Sequence, residues 1–255
     1  MENTPVKITD SWESLREYTA ARIALGRVGD SIPLTASLEF KLAHAHARDA
    51  VYSELDRTAL LMGLTDFGLP LLEIQSMAVS RSQYLQRPDL GRLPSASSVS
   101  LLQEHAAEFD ICLILADGLS ATAINNNIIP LLKCLLPFLR GMNYRLTPLC
   151  MASQARVALS DHVAGTLGAK LSLMLIGERP GLSAADSIGA YLTYSPKPGL
   201  TDESRNCVSN IRPEGLGFEA AANKILYLIR EAFHRKLSGV ELKDNDQMSL
   251  QQKAP

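Results

Sequence analysis

The sequence has little net charge and no long apolar run. Its 25 lysine and arginine residues nearly balance 27 aspartate and glutamate residues, which leaves a formal charge of −2. That balance excludes the overall basic field with which many proteins attract nucleic acid. No stretch of 18 apolar residues occurs, so no membrane-spanning helix is predicted. The first residues, MENTPVKITD, lack a basic region followed by an apolar core. We therefore expect no secretory signal, and a cytoplasmic protein without nucleic-acid or membrane partners.

Cysteines are few, and none forms a CxxC pair. Cys112, Cys134 and Cys150 lie in apolar segments, whereas Cys207 in RNCVSN is flanked by polar residues. Cysteines spaced this widely favour reduced thiols in the cytoplasm and argue against a structural zinc site. Cys207 leaves two interpretations open, which are a reactive thiol influenced by Arg205 and Arg212, both near in sequence, and a quiet packed cysteine.

Three common site motifs are also missing. No GxGxxG follows the apolar run at 111–116, so the standard dinucleotide fingerprint is absent. No GxxxxGK[ST] marks a P-loop, and no GxSxG marks the nucleophile of an α/β hydrolase.

What is present is an alternation of strands and helices from about residue 95 onward. The predicted strands are FDICLILADG, YRLTPLCMAS, KLSLMLIG and AYLTYS. The predicted helices cover residues 95–108, 120–141, 160–168 and 218–237, with the second one interrupted by Pro130 and Pro137. Such alternation is typical of βαβ units and a parallel sheet. The sequence therefore predicts an α/β fold, with a Rossmann-like, mostly parallel sheet domain over residues 95–240.

The segments outside this domain are predicted to be helical or disordered. Spacing and capping residues predict a helix that runs into a loop over residues 11–29 and a second helix over residues 35–55, and a strand is predicted within 71–80. A turn-rich connection, SQYLQRPDLGRLPSAS, follows. We expect residues 1–94 to form an N-terminal helical region with its connection, and the polar segment 241–255 to be a disordered tail.

Charged residues follow the buried strand in KLSLMLIGERPGL. Glu178 and Arg179 come directly after the apolar run and before a Pro-Gly pair that prevents the strand from continuing. Asp117 follows another strand, and right-handed crossovers would place it at the same sheet edge as Glu178. Ligands of open α/β sheets bind at that edge. The alternative interpretation is a surface turn with a solvated ion pair.

Five segments occur in an order that resembles one enzyme family. They are TAARIALGRVG at 19–29, QRPDLGR at 86–92, DGLSATAI at 117–124, LGAKLSLMLIGERPGL at 167–182 and YSPKPGLTDESRNCVSNI at 194–211. Together they resemble the small (light) subunit of ethanolamine ammonia-lyase, across residues 19–240. The combination of GERPGL with RxCxSNI is the most specific part of this resemblance.

The resemblance implies an adenosylcobalamin-dependent enzyme that converts ethanolamine to acetaldehyde and ammonia by radical chemistry. It implies a large-subunit partner, a TIM barrel that holds the substrate. The small subunit would cover the lower, nucleotide side of cobalamin with its Rossmann-like domain. Carried over residue by residue, the cobalamin contacts fall on Val157, Glu178 and Cys207. None of these needs to titrate or attack, so the resemblance implies cofactor binding, with no catalytic residue and no metal ligand in this chain.

Two departures from the family pattern affect these expectations. Leu93 stands where family members often carry a second arginine after RPDLGR, which puts one partner or ligand contact in doubt. The ARIALGR segment begins close to the start of the chain, so the N-terminal extension that directs some members to a bacterial microcompartment is expected to be absent. Two other functions remain as alternatives, a non-catalytic α/β scaffold or interaction subunit and a stand-alone α/β enzyme with a nucleotide cofactor.

Overall fold

A six-stranded sheet with helices on both faces dominates the computed structural model, which describes residues 7–243. The strands are β1 (Lys7–Ile8), β2 (Arg27–Val28), β3 (Leu71–Gln75), β4 (Phe109–Ala116), β5 (Leu149–Ser153), β6 (Ala169–Gly177), β7 (Ile188–Tyr194) and β8 (Asn206–Ile211). The α-helices are α1 (Leu34–Tyr52), α2 (Arg57–Thr65), α3 (Arg81–Gln86), α4 (Ala96–Glu104), α5 (Ala121–Gly141), α6 (Leu159–Leu167) and α7 (Phe218–Arg235). β1 and β2 form a separate two-stranded sheet.

The strands of the large sheet lie in the order β3-β5-β4-β6-β7-β8. The first four of these run parallel, so their carboxyl ends meet at one edge. Helix α5 connects β4 to β5, and α6 connects β5 to β6. The prediction of an α/β fold with a mostly parallel sheet is confirmed.

The last two strands depart from the predicted βαβ pattern. β7 pairs antiparallel with β6, and β8 pairs antiparallel with β7. Only residues 178–187 connect β6 to β7. A parallel return needs a crossover of about a dozen residues or more, usually with a helix. The chain therefore turns back directly after Glu178, and the sheet ends in a meander.

Helices cover the two faces of the sheet with separate apolar layers. α5 and α7 pack on one face, with α2 beside them, and α4 and α6 pack on the other. β4 and β6 are buried on both faces, which explains their nearly continuous apolar sequences. Helix α5 runs through Pro130 and Pro137 rather than breaking there. The residues four positions earlier, Asn126 and Lys133, are exposed, so the carbonyl groups freed by each proline can bind water.

The N-terminal segment is less helical than predicted. Of the helix that was expected to run into a loop over residues 11–29, only Glu13–Tyr18 forms, as a short 3-10 helix, and the chain then runs irregularly into β2. Ala24 and Gly26 have φ of 48° and 70°, which an α-helix does not accommodate. The second predicted helix is confirmed as α1, although Ala50 is its only buried residue.

The sheet extends across residue 94, where the sequence suggested a boundary. β3 precedes that residue and pairs with β5 as an edge strand of the large sheet. The division into 1–94 and 95–240 stays a prediction. Of the predicted tail, residues 244–255 lie outside the described residues, and Leu242 is buried. No helix within residues 7–243 has the length and hydropathy needed to cross a bilayer.

Candidate functional site

Two glycines bring the ends of β4 and β6 into direct contact. Gly118 follows β4 with φ of +55°, and a Cβ at that position would overlap the carbonyl oxygen of Gly177. A Cβ on Gly177 would in turn overlap the carbonyl oxygen of Ser120. The Leu119 N–H donates a hydrogen bond to the Gly177 carbonyl oxygen at 3.0 Å. Because no side chain fits between them, the two strand ends form one fixed edge.

Asp117 organises the loop that follows β5. Its Oδ2 accepts a hydrogen bond from the Gln154 N–H at 2.7 Å, and its Oδ1 accepts one from the Ala155 N–H at 3.1 Å. Burial raises the pKa of Asp117, while the two N–H donors and the nearby Arg81 act in the opposite direction. This buried carboxylate therefore holds the backbone that carries Val157, and its oxygens are already occupied.

A cleft of about 470 Å³, here called the main cleft, opens at this edge. It is lined by Tyr84, Gly118, Leu119, Arg156, Val157, Ile176, Gly177, Glu178, Arg179 and Tyr191. A side cleft of about 300 Å³ adjoins it, since both clefts are lined by Arg156, Val157 and Tyr191. Arg92 and Asp202 line the side cleft but not the main cleft. The sheet edge thus offers one branched depression with polar and apolar walls.

Glu178 uses one carboxylate oxygen for structure. Its Oε2 accepts a hydrogen bond from the Asn210 N–H at 3.0 Å, which ties the end of β6 to the end of β8. Its own N–H donates to the Ser187 carbonyl oxygen at 3.0 Å. The other oxygen, Oε1, accepts no hydrogen bond from the residues that the structure describes. One acceptor therefore remains available in the main cleft.

Tyr191 and Cys207 lie opposite each other on β7 and β8. Their side chains share one face of the sheet, and the tyrosine ring reaches the clefts. Partial burial raises the pKa of the Cys207 thiol, the interaction with Tyr191 lowers it, and the negative charge of Glu178 raises it. The net rise keeps the thiol protonated near neutral pH, which suits weak hydrogen bonding rather than nucleophilic attack.

The loop at 178–187 is fastened to neighbouring segments. The Ser120 hydroxyl donates to the Ala185 carbonyl oxygen at 2.7 Å. Arg22 donates from Nη2 to the Leu182 carbonyl oxygen at 3.3 Å. The second bond joins the N-terminal segment to the loop that follows β6.

Comparison with known proteins places this architecture in a family. The family model "Ethanolamine ammonia-lyase light chain (EutC)" matches residues 9–243. The chain is 49% identical over 254 residues to the ethanolamine ammonia-lyase small subunit of Ralstonia nicotianae, covering 98% of this chain and 94% of that protein. It is also 49% identical over 242 residues to the ethanolamine ammonia-lyase small subunit of Azotobacter vinelandii, covering 93% and 90%. This chain belongs to the ethanolamine ammonia-lyase light-chain family.

The three residues singled out by the light-chain resemblance lie in one region of the structure. Val157 and Glu178 both line the main cleft. Cys207 is exposed on β8 and is absent from the lining of both clefts, but it lies beside Tyr191, which lines them. Their assignment as cofactor contacts stays a prediction that this grouping supports.

Three residues that line the main cleft were not identified as candidate site residues from the sequence. Arg156 directly precedes Val157 and follows a predicted strand. That position at the carboxyl edge of the sheet could have identified Arg156 as a candidate site residue. Tyr191 faces the cleft only because β7 returns antiparallel to β6, which the sequence did not indicate. Tyr84 reaches the site from α3, a helix that was not predicted.

Proposed function

We propose that this chain is the small subunit of an adenosylcobalamin-dependent ethanolamine ammonia-lyase, which converts ethanolamine to acetaldehyde and ammonia together with a large subunit. The observation that carries this proposal is the branched depression at the carboxyl edge of the sheet, where Val157, Glu178 and Tyr191 converge. Family membership supports the same reading. The fold positions these residues at the edge where ligands of α/β sheets bind.

The polar groups of the cleft fit cobalamin. The side chains of a corrin end in amides, which both donate and accept hydrogen bonds. Glu178 offers its Oε1 as an acceptor. Arg156 lines the cleft, and its Nη1 donates no hydrogen bond to the described residues. Val157 and the Tyr191 ring supply apolar surface against which a flat macrocycle can pack.

The residues of this chain bind and orient, and the chemistry belongs to the cofactor. Adenosylcobalamin, when bound, supplies the radical that starts the reaction. Glu178 would accept a hydrogen bond from the cofactor, and Cys207 would contact it as a neutral thiol, because the pKa of that thiol is raised. We assign no catalytic residue to this chain, and substrate would be held by the large subunit.

An exposed apolar surface in the N-terminal segment supports a large-subunit partner. We define the N-terminal apolar surface by Leu34, Leu38 and Leu42 of α1, all of which are exposed, and Trp12 and Tyr18 of the preceding segment are exposed as well. The three leucines are spaced by four residues and share one face of α1. Exposed apolar surfaces of this kind mark interaction sites. Arg22 of the same segment contacts the loop that follows Glu178 and Arg179, so a large subunit bound there would lie near the proposed cofactor site.

The four cysteines are unpaired, which supports the proposed cytoplasmic location. Enclosure in a bacterial microcompartment is a further proposal. It is checked by asking whether the tagged chain cofractionates with shells.

The decisive experiment measures ethanolamine deamination with adenosylcobalamin for this chain, for a cognate large subunit, and for the two combined. Activity in the mixture alone is the expected result. Activity of this chain by itself would contradict the proposal that the reaction requires the large subunit. A folded pair that is inactive and does not bind cobalamin would favour the scaffold alternative. Binding of NAD to the single chain would favour the nucleotide enzyme.

A further inference from the structure

Arg156 carries an unusual unpaired charge. Its guanidinium is half-buried, and its one hydrogen bond to the described part of the chain runs from Nη2 to the Tyr84 carbonyl oxygen at 3.3 Å. Its Nε is buried without a hydrogen-bond partner. No carboxylate of residues 7–243 lies within 4.0 Å of it. A half-buried cation without an anion is costly, so this position favours an anionic ligand.

The surrounding residues hold this guanidinium in place. It stacks on the Tyr84 ring at 4.3 Å, and Arg81 lies over the same ring at 4.8 Å. The Tyr84 hydroxyl is anchored by donating to the Ala155 carbonyl oxygen at 2.9 Å. Gly91 accepts from the Arg156 N–H at 2.8 Å, and a Cβ on Gly91 would lie 2.9 Å from the Arg156 Cγ. The side chain is therefore set before any ligand arrives, which lowers the entropic cost of binding.

Its location is the junction of the two clefts. Arg156 lines both of them, with Arg92 further along the side cleft and Arg179 on the main cleft. Neither of these two arginines forms an ion pair with a described residue. Arginine recognises a phosphate group by paired, charge-assisted hydrogen bonds to its oxygens. A single carbonyl or amide group does not offer arginine such a pair of charged acceptors. The junction thus has the chemistry of a phosphate site.

We propose that Arg156 binds a phosphodiester, that of the nucleotide loop of cobalamin. This inference rests on the proposed function, because the cofactor identifies the anion. The corrin amides are neutral, and the phosphodiester is the anionic group of the molecule. Arg156 would therefore act as a specificity residue that distinguishes complete cobalamin from corrinoids lacking the nucleotide loop.

The test compares two ligands on the complex of this chain with its large subunit. Hydroxocobalamin carries the phosphodiester, whereas diaquocobinamide lacks the whole nucleotide loop. The dissociation constants of both are measured by absorbance titration for the wild type, Arg156→Gln and Arg156→Lys. Arg145→Gln serves as control, because Arg145 is exposed at the opposite edge of the sheet. Thermal unfolding of each variant checks that the chain is folded.

We expect Arg156→Gln to weaken hydroxocobalamin binding about 10- to 100-fold and to leave cobinamide binding unchanged. Arg156→Lys, which keeps the charge, should restore part of the affinity, and Arg145→Gln should change neither constant. Equal losses for both ligands, or no loss for either, would overturn the inference. Binding of AMP that requires Arg156 and does not compete with hydroxocobalamin would assign the residue to a separate nucleotide and overturn it too.

The failure of the inference can be told apart from failure of the proposed function. A wild-type complex that binds neither corrinoid contradicts the function and therefore the inference. A wild-type complex that binds both, with Arg156→Gln indistinguishable from it, contradicts the inference alone.

Discussion

At the residue scale, Glu178 divides its carboxylate between the fold and the cleft. Glu178→Gln keeps an oxygen for the Asn210 N–H but removes the charge. We expect this variant to weaken hydroxocobalamin binding to the complex by roughly tenfold or more, since hydrogen bonds to charged groups contribute about 1.5–3 kcal/mol. Glu178→Ala should show the same loss, with a small additional decrease in the free energy of unfolding. An unchanged dissociation constant in both variants removes Glu178 from the site.

Cys207 provides a chemical probe of the same region. It is the exposed residue among the four cysteines, although neighbouring groups keep part of the water away from its sulfur. That desolvation and the charge of Glu178 raise the pKa of the thiol, and Tyr191 lowers it. Alkylation by iodoacetamide requires the thiolate. At pH 8 we therefore expect Glu178→Gln to speed the reaction, because it removes a negative charge, and Tyr191→Phe to slow it.

Cofactor protection completes this prediction. Hydroxocobalamin bound to the complex should slow Cys207 alkylation, as followed by mass spectrometry of the peptide that contains it. Equal rates with and without the cofactor would place Cys207 outside the site. Cys134, which is partly buried on α5, reports whether the protein has opened more generally.

At the element scale, the close backbone contact between Gly118 and Gly177 holds the turn after β4 against the end of β6. Gly118→Ala destabilises the fold in two ways: alanine disfavours the positive φ of this position, and its Cβ overlaps the Gly177 carbonyl oxygen. Together they should lower the free energy of unfolding by about 3 kcal/mol. Gly141→Ala is the matched control, because a Cβ at the end of α5 meets nothing within 4 Å. Denaturant unfolding of both variants measures the difference, and equal stabilities would contradict the close packing of the two strand ends.

Elements buried on both faces were predictable, and elements that depend on distant neighbours were not. β4 and β6 are continuous apolar runs, so their burial is visible in the sequence. β8 alternates weakly between exposed and buried residues and pairs only because β7 has already reversed direction. The edge position of Glu178 followed from the strand that precedes it. The proposed role of Arg156 did not, since its guanidinium is held by stacking on Tyr84, 72 residues earlier.

At the scale of the whole molecule, the N-terminal segment lacks a core of its own. Among the 19 residues of α1 only Ala50 is buried, and Leu34, Leu38 and Leu42 are 74%, 54% and 58% exposed. A helix in this state gains little from packing and is only marginally stable by itself. We expect its apolar face to be covered in the complex with the large subunit.

The double variant Leu38→Asp, Leu42→Asp tests that expectation. Because both leucines are exposed, the isolated chain should keep its thermal stability, whereas its affinity for the large subunit should fall by roughly tenfold or more. Sedimentation velocity of the mixture measures the association. Phe138→Asp is the control, since Phe138 is equally apolar and exposed but lies near the end of α5, away from the main cleft. Retained association in the double variant would contradict the proposed surface. Loss of self-association with an intact large-subunit complex would assign the surface to a second copy of this chain instead.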